Sequence, residues 1–211
     1  MVVKTKQQTP QYGLCMDWET TGATWGGDST VDYQGISFGV IVFDAKTFDE
    51  IEKFYVEIQY DEKYKWTEGA EKIHGLSKEH LAKNGISQED AAIKLAELIL
   101  KYWGPDGKIM FLGHNTEFDR RFTNQLMNSI DIEFSVERRQ PHLSSWIQLH
   151  HVVLDTSSAG FIALGLFKSD LLFDFIGFEE RGAHNALTDA EQTLGTCKAI
   201  KALVAAGLEE H

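Results

Sequence analysis

Hydrophobic and polar positions along the chain fall into segments with two different periods. Tyr12 to Glu19 is a short apolar run free of breakers, the pattern of a buried strand. Thr20-Thr21-Gly22 then opens a polar loop that ends near Tyr33. Gly35 to Phe43 and Ile51 to Ile58 are rich in β-branched and aromatic residues, and Asp44-Ala45-Lys46-Thr47 between them predicts a hairpin. Helical spacing follows. Ser87, with Asp90 three residues on, is a candidate N-cap, and Ala91, Leu95, Leu98, Ile99 and Tyr102 recur on one face until Gly104-Pro105-Asp106-Gly107. Ile109 to Leu112 predicts a second buried strand, and Phe118, Phe122, Leu126 and Ile130 form one apolar helical stripe. Val152 to Leu154 is a short strand candidate, followed by two short helical stretches. The clearest helix runs from Ala186 to Ala206, with Leu187, Ala190, Leu194, Cys197 and Val204 on one face and Gly207 at the C-cap position. A three-strand block followed by helices alternating with single strands predicts an α/β sandwich on a mixed sheet. Residues 1–11 read as a loose arm, 12–207 as one domain and 208–211 as a tail.

Composition narrows the class. A length of 211 residues suits one domain with a real core, and 43% hydrophobic with 25% charged residues excludes wholesale disorder. No apolar run reaches the roughly 18–20 residues of a membrane span. The polar start, Met1 to Gln8, lacks the apolar stretch of a secretory signal. Cys15 and Cys197 are too few for a disulfide scaffold and fit a reducing compartment, so a cytoplasmic location is expected, with both thiols as inert core residues. Twenty Lys and Arg against 32 Asp and Glu give a net charge of −12, a balance that should repel a phosphate backbone.

Particular acids complicate that exclusion. Asp17 and Glu19 lie two apart on a predicted strand, so both side chains leave one face while Trp18 points to the other. Two carboxylates that close on a buried strand call for a cation, and Mg²⁺ or Mn²⁺ favours such oxygen ligands. On this motif alone, the favoured reading is that both acids sit at a strand end and simply face water. Asp119 adjoins the apolar residues Phe118 and Phe122 in a first helical turn, which should turn it toward the sheet, although an acid there taken alone usually just complements the helix dipole. His184 stands at a helix start, and Asp189 a turn and a half later flanks the core positions Leu187 and Ala190. An isolated histidine there would read as a cap or surface residue.

Taken together, Asp17-Trp18-Glu19-Thr20-Thr21-Gly22, His114-Asn115-Thr116-Glu117-Phe118-Asp119 and His184-Asn185-Ala186-Leu187-Thr188-Asp189-Ala190 resemble the DnaQ-like 3′→5′ exonuclease superfamily in its DEDDh branch. A fourth segment, Ile73-His74-Gly75-Leu76-Ser77 with Glu79, resembles the stretch after the third strand in proofreading subunits. The sister branch carries a tyrosine four residues before the last aspartate, where this chain has Asn185. The resemblance runs from about Tyr12 to Ala206 and implies a ribonuclease H-like fold with a mixed five-stranded sheet flanked by helices. It also implies that Asp17, Glu19, Asp119 and Asp189 hold two divalent ions, Mg²⁺ or Mn²⁺, with Asp17 bridging them. Glu19 and Asp189 would complete the ion that binds the nucleophilic water, Asp119 would support the other, and His184 would be the general base. Two ions roughly 3.5–4 Å apart stabilise both the attacking and the leaving oxygen of an in-line displacement. Nucleoside 5′-monophosphates would be released from nucleic-acid 3′ ends.

For the substrate, the resemblance points to Thr20, Thr21, His74, Asn115 and Phe118. Each also has an ordinary structural reading as turn, helix-end or core residue. Trp25 could stack on a base or equally anchor its own loop, and Arg138 and Arg139 could contact a phosphate, although a charged pair in a loop is more often solvated surface. The stretch between Asp119 and Asp155 is longer than usual for the family and would form an added rim over the substrate, its extra residues falling in 131–154. No polymerase-tethering tail follows the last helix, so a free-standing nuclease is expected, a homodimer being one arrangement among its relatives. The readings that result are a 3′→5′ exonuclease on single-stranded DNA, an RNA-trimming or short-oligoribonucleotide exonuclease, and a non-catalytic binding module on the same fold. The third would be marked by loss of an acid or of the histidine, and all five residues are present. Two bound ions would also reverse the local field where phosphate must sit, so bulk acidity vetoes only an extended footprint.

Overall fold

The computed structural model describes residues 10–104, 107–129, 148–179 and 182–209. Nearly all of the expected arm, Ile130 of the apolar stripe, Arg138, Arg139 and most of the expected 131–154 rim lie outside the described residues. Strands β1 (Tyr12–Thr20), β2 (Gly35–Asp44) and β3 (Glu50–Glu57) form an antiparallel meander. Strand β4 (Lys108–Gly113) joins β1 in parallel, and the two-residue strands β5 (Gln148–Leu149) and β6 (Leu154–Asp155) both run parallel to β4. The mixed sheet has the order β3-β2-β1-β4-β5, with β6 beside the end of β4.

Strand alternation sorts the core into two layers. Leu14, Met16 and Trp18 of β1 and Phe38, Val40 and Val42 of β2 face one side, under α3 (Gln88–Trp103) and α4 (Thr116–Met127). Cys15, Ile41, Phe43, Met110 and Leu112 face the other, under α7 (Ala186–Glu209) through Ala190 and Leu194. A strand covered on both faces can be apolar throughout, which is why β2 is buried along almost its whole length. Ser87 caps α3 by accepting from the Asp90 amide, as its sequence position predicts.

Some boundaries differ from the pattern. The strand expected at Val152 to Leu154 is Leu154–Asp155, because the Val152 amide donates to His150 Nδ1 and turns the chain before the ladder begins. Gly207 does not stop α7, which continues to Glu209 with no left-handed residue there. Three further helices, α1 (Glu68–His74), α2 (Lys78–Asn84) and α5 (Thr156–Leu164), precede or flank the site, and α6 (Ser169–Ile176) follows α5. Helices α1 and α2 are each seven residues, too short to show a period in the sequence.

Candidate active site

The carboxyl ends of β1 and β4 meet the first turns of α4 and α7, the place where open α/β sheets bind ligands. Asp17 and Glu19 lie on the α7 side of β1, while the indole of Trp18 is buried on the other side against Phe38 and Phe122. The Trp18 indole N–H donates to Thr123 Oγ1 at 3.0 Å, and its backbone N–H donates to Asp119 Oδ1 at 3.2 Å. The residue between the two acids therefore also positions the third. Gly39 pairs with Asp17 across the β1–β2 ladder. A Cβ at Gly39 would lie 2.2 Å from Leu187 Cα and 2.4 Å from the Ala186 carbonyl oxygen. Its missing side chain lets the first turn of α7 rest on the sheet and brings Asp189 to Glu19.

Asn185 caps α7 by accepting from the Leu187 and Thr188 amides, and the His184 amide donates to the Ile73 carbonyl oxygen. These contacts fix His184 at the mouth of the cleft, with Nδ1 3.3 Å from Asp189 Oδ2. One atom each from Glu19, His184 and Asp189 lie within 4.8 Å of one another, a spacing that could hold a metal ion. Asp17 and Asp119 line the same cleft of about 140 Å³, together with His114, Phe118, Ser169, Phe173 and Thr193. Glu19, Asp119 and Asp189 are all less than a tenth exposed. Burial pushes the Asp119 carboxyl well above the usual carboxylate range, against the Trp18 amide, with Asp155 and Glu19 adding to the rise. Buried acids gathered this way are costly without a compensating cation, and hard oxygen donors beside one imidazole suit Mg²⁺ or Mn²⁺.

The residues expected at the substrate spread more widely. Phe118 lines the cleft, half-buried against Phe122. His74 is buried; desolvation lowers its pKa, partly opposed by Thr20 and Glu71, and its Nδ1 accepts from the Leu76 amide. Thr20 donates its hydroxyl to the Gly22 carbonyl oxygen, and Thr21 is fully buried with its hydroxyl accepting from the Gln34 amide. Asn115 is exposed in the left-handed region, at φ 60°. Trp25 is fully exposed in the loop after β1. The pattern of the sequence did not single out Ser169, Phe173 and Thr193 as lining residues, and it passed over Asp155. Asp155 Oδ2 accepts from the Thr116 amide and hydroxyl at 2.8 and 2.7 Å, while Oδ1 accepts from the Ser157 hydroxyl and the Ser158 amide. A lone acid before a short helix signals only a local cap.

A mixed 3-2-1-4-5 sheet with acids at the ends of its central strands and on the helices above them defines a ribonuclease H-like nuclease fold. The chain belongs to the RNase_T exonuclease family of the DnaQ-like superfamily, which it matches over residues 14–196. It is similar to Escherichia coli exonuclease I solved with zinc and single-stranded DNA, at 20% identity and a TM-score of 0.70 over 91% of this chain and 40% of that one. The same enzyme with a dA16 oligonucleotide gives 19% identity and a TM-score of 0.70, over 91% of this chain and 41% of that one. A 3′-exonuclease that recognises the histone mRNA stem-loop is similar at 15% identity and a TM-score of 0.63, over 93% of this chain and 83% of that one. The chain thus spans about 40% of the length of the exonuclease I chains it matches. None of the curated protein sequences matches it.

Proposed function

We propose that the protein is a divalent-metal-dependent 3′→5′ exonuclease that hydrolyses the terminal phosphodiester of single-stranded DNA and releases nucleoside 5′-monophosphates. The observation that carries this reading is the meeting of Glu19, His184 and Asp189 within 4.8 Å in a cleft shared with Asp17 and Asp119, inside an exonuclease-family domain. Asp17, Glu19, Asp119 and Asp189 would hold two Mg²⁺ or Mn²⁺ ions. When bound, the ions supply charge stabilisation for the attacking and leaving oxygens. His184 takes the proton of the attacking water. Asp189 stands on the Nδ1 side of the ring and favours a proton there, which makes Nε2 the basic nitrogen. Phe118 offers a face to the terminal base, and Thr20, Thr21, His74 and Asn115 shape the backbone around the terminal sugar.

DNA is placed first because exonuclease I, solved in complex with single-stranded DNA and with a dA16 oligonucleotide, has the higher TM-score of the neighbours described above. The neighbour solved with a histone mRNA stem-loop supports RNA trimming as the second reading. Choice between the sugars rests on contacts to the 2′-hydroxyl. The deciding experiment incubates 5′-labelled DNA and RNA of equal sequence with Mg²⁺, Mn²⁺ or EDTA. A stepwise ladder with DNA, abolished by EDTA, is expected; a ladder with RNA alone moves the assignment to the second reading. His184→Ala and Asp17→Ala should each lower turnover by roughly 10²–10⁴-fold or more without unfolding the protein. Near-normal turnover by either would sink the mechanism.

A further inference from the structure

We propose that Asp155 is a positioning residue of this site, a cap shared by two helices that sets where Asp119 stands against the α5–α6 wall of the cleft. The inference rests on the exonuclease reading and adds to it a residue outside the four acids and the histidine. The geometry is unusual for a helix start. Asn115, the residue before α4, is left-handed and makes no side-chain cap bond, so α4 lacks a cap from its own chain segment. Asp155 supplies it from 39 residues away, through the Thr116 amide and hydroxyl on Oδ2. Its other oxygen caps α5 through the Ser158 amide and takes the Ser157 hydroxyl. Four donors thus occupy both carboxylate oxygens.

Asp119 lies in the first turn of α4, three residues beyond Thr116, so a shift of that turn moves its carboxylate directly. On the other arm, α5 packs on α6, where Gly160 lets Leu172 approach closely, and α6 places Ser169 and Phe173 in the cleft. Neighbouring contacts tighten the joint. Asp155 pairs with Gly113 at the end of β4, Thr156 Oγ1 lies 3.3 Å from the Gly113 carbonyl oxygen, and His114 Nδ1 lies 3.0 Å from Thr156 Oγ1. A Cβ at Gly113 would itself meet Asp119 Oδ2 at 3.3 Å, so little slack remains beneath the carboxylate.

The test compares wild type with Asp155→Asn, Thr116→Val and Thr116→Ser, reading kcat and KM on a DNA oligonucleotide, Mn²⁺ affinity and thermal unfolding in EDTA. Asparagine keeps the size but turns one acceptor into a donor, so it cannot take four bonds. Folded Asp155→Asn is expected to lose roughly 10–100-fold in kcat and in Mn²⁺ affinity with little change in KM, as outer partners of metal ligands do. Thr116→Val, which removes the hydroxyl, should move both quantities the same way by less, and Thr116→Ser, which keeps both donors, should restore them. A folded Asp155→Asn with wild-type kcat and Mn²⁺ affinity, lowered only in melting temperature, would overturn the proposal. If Asp155→Asn does not fold, Thr116→Val decides, and wild-type values there overturn it. A wild-type protein that binds Mn²⁺ but shortens no strand defeats the exonuclease reading alone, with Mn²⁺ affinity still judging Asp155. Absence of Mn²⁺ binding by wild type overturns both.

Discussion

Single residues in this protein serve more than one element. Trp18 fills the core, anchors Thr123 and holds Asp119 through its amide, and its inward direction follows from strand alternation between Asp17 and Glu19. Asp155 is the opposite case. Its role depends on a helix 39 residues earlier, and no local spacing in the sequence encodes that pairing. Its titration offers a check. Burial pushes the Asp155 carboxyl up, but the hydrogen bonds from Thr116, Ser157 and Ser158 outweigh it and bring the pKa down to about 2. A carboxylate depressed on folding adds stability above its unfolded pKa of about 3.9 and loses it as pH falls toward the folded value. Wild type should therefore lose stability between about pH 4 and pH 2, and Asp155→Asn should flatten that part of a denaturation-against-pH series. A second check concerns the thiols. Burial raises Cys15 well above its ordinary value and Cys197 to about 11, so both should resist alkylation by iodoacetamide until the protein is unfolded.

At the scale of elements, the decisive contact is helix on sheet at Gly39. The sequence pattern identifies β2 as a buried strand, but the need for glycine at this position appears only when α7 rests across it. Gly39→Ala forces α7 away from the sheet against Leu187 and Ala186 backbone. It should cost about 1–3 kcal/mol in urea or thermal unfolding, with a larger fractional loss of metal-dependent activity than a surface Gly→Ala such as Gly69→Ala. An unchanged midpoint with full activity would show that α7 is not held by this contact. The long periodic elements and the three acid-bearing motifs were legible because period and spacing are local properties. The short α1 and α2, the two-residue β5 and the true start of β6 were not. They are fixed by caps and by ladder partners far along the chain, such as Ile109 for β5 and Leu112 for β6.

For the whole molecule, the charge of −12 acquires a location. Lys53, Lys63, Lys65, Lys101, Arg120, Arg121 and Lys198 each lie within ion-pair distance of a carboxylate of the same chain, which draws seven of the 20 Lys and Arg residues into pairs within the protein. Affinity for a single strand should fall with salt at a slope no steeper than about −2 on a log–log plot, the release expected from two or three phosphates. Mg²⁺ or Mn²⁺ at about 100 times its Kd should stabilise the fold by about 2.7 kcal/mol. For a domain of this size that raises the melting temperature by about 5–11 °C, and EDTA should reverse it. Among the described residues no helix is long and apolar enough to cross a membrane. The seating of α7 over β1 also has a consequence in time. Asp17, Glu19 and Asp119 are in the chain long before His184 and Asp189, and the cluster closes only when α7 docks. A polypeptide still being synthesised beside its own messenger, or one cut short before residue 184, lacks the base and the last carboxylate, so the hydrolytic capacity proposed above switches on only once the domain is built.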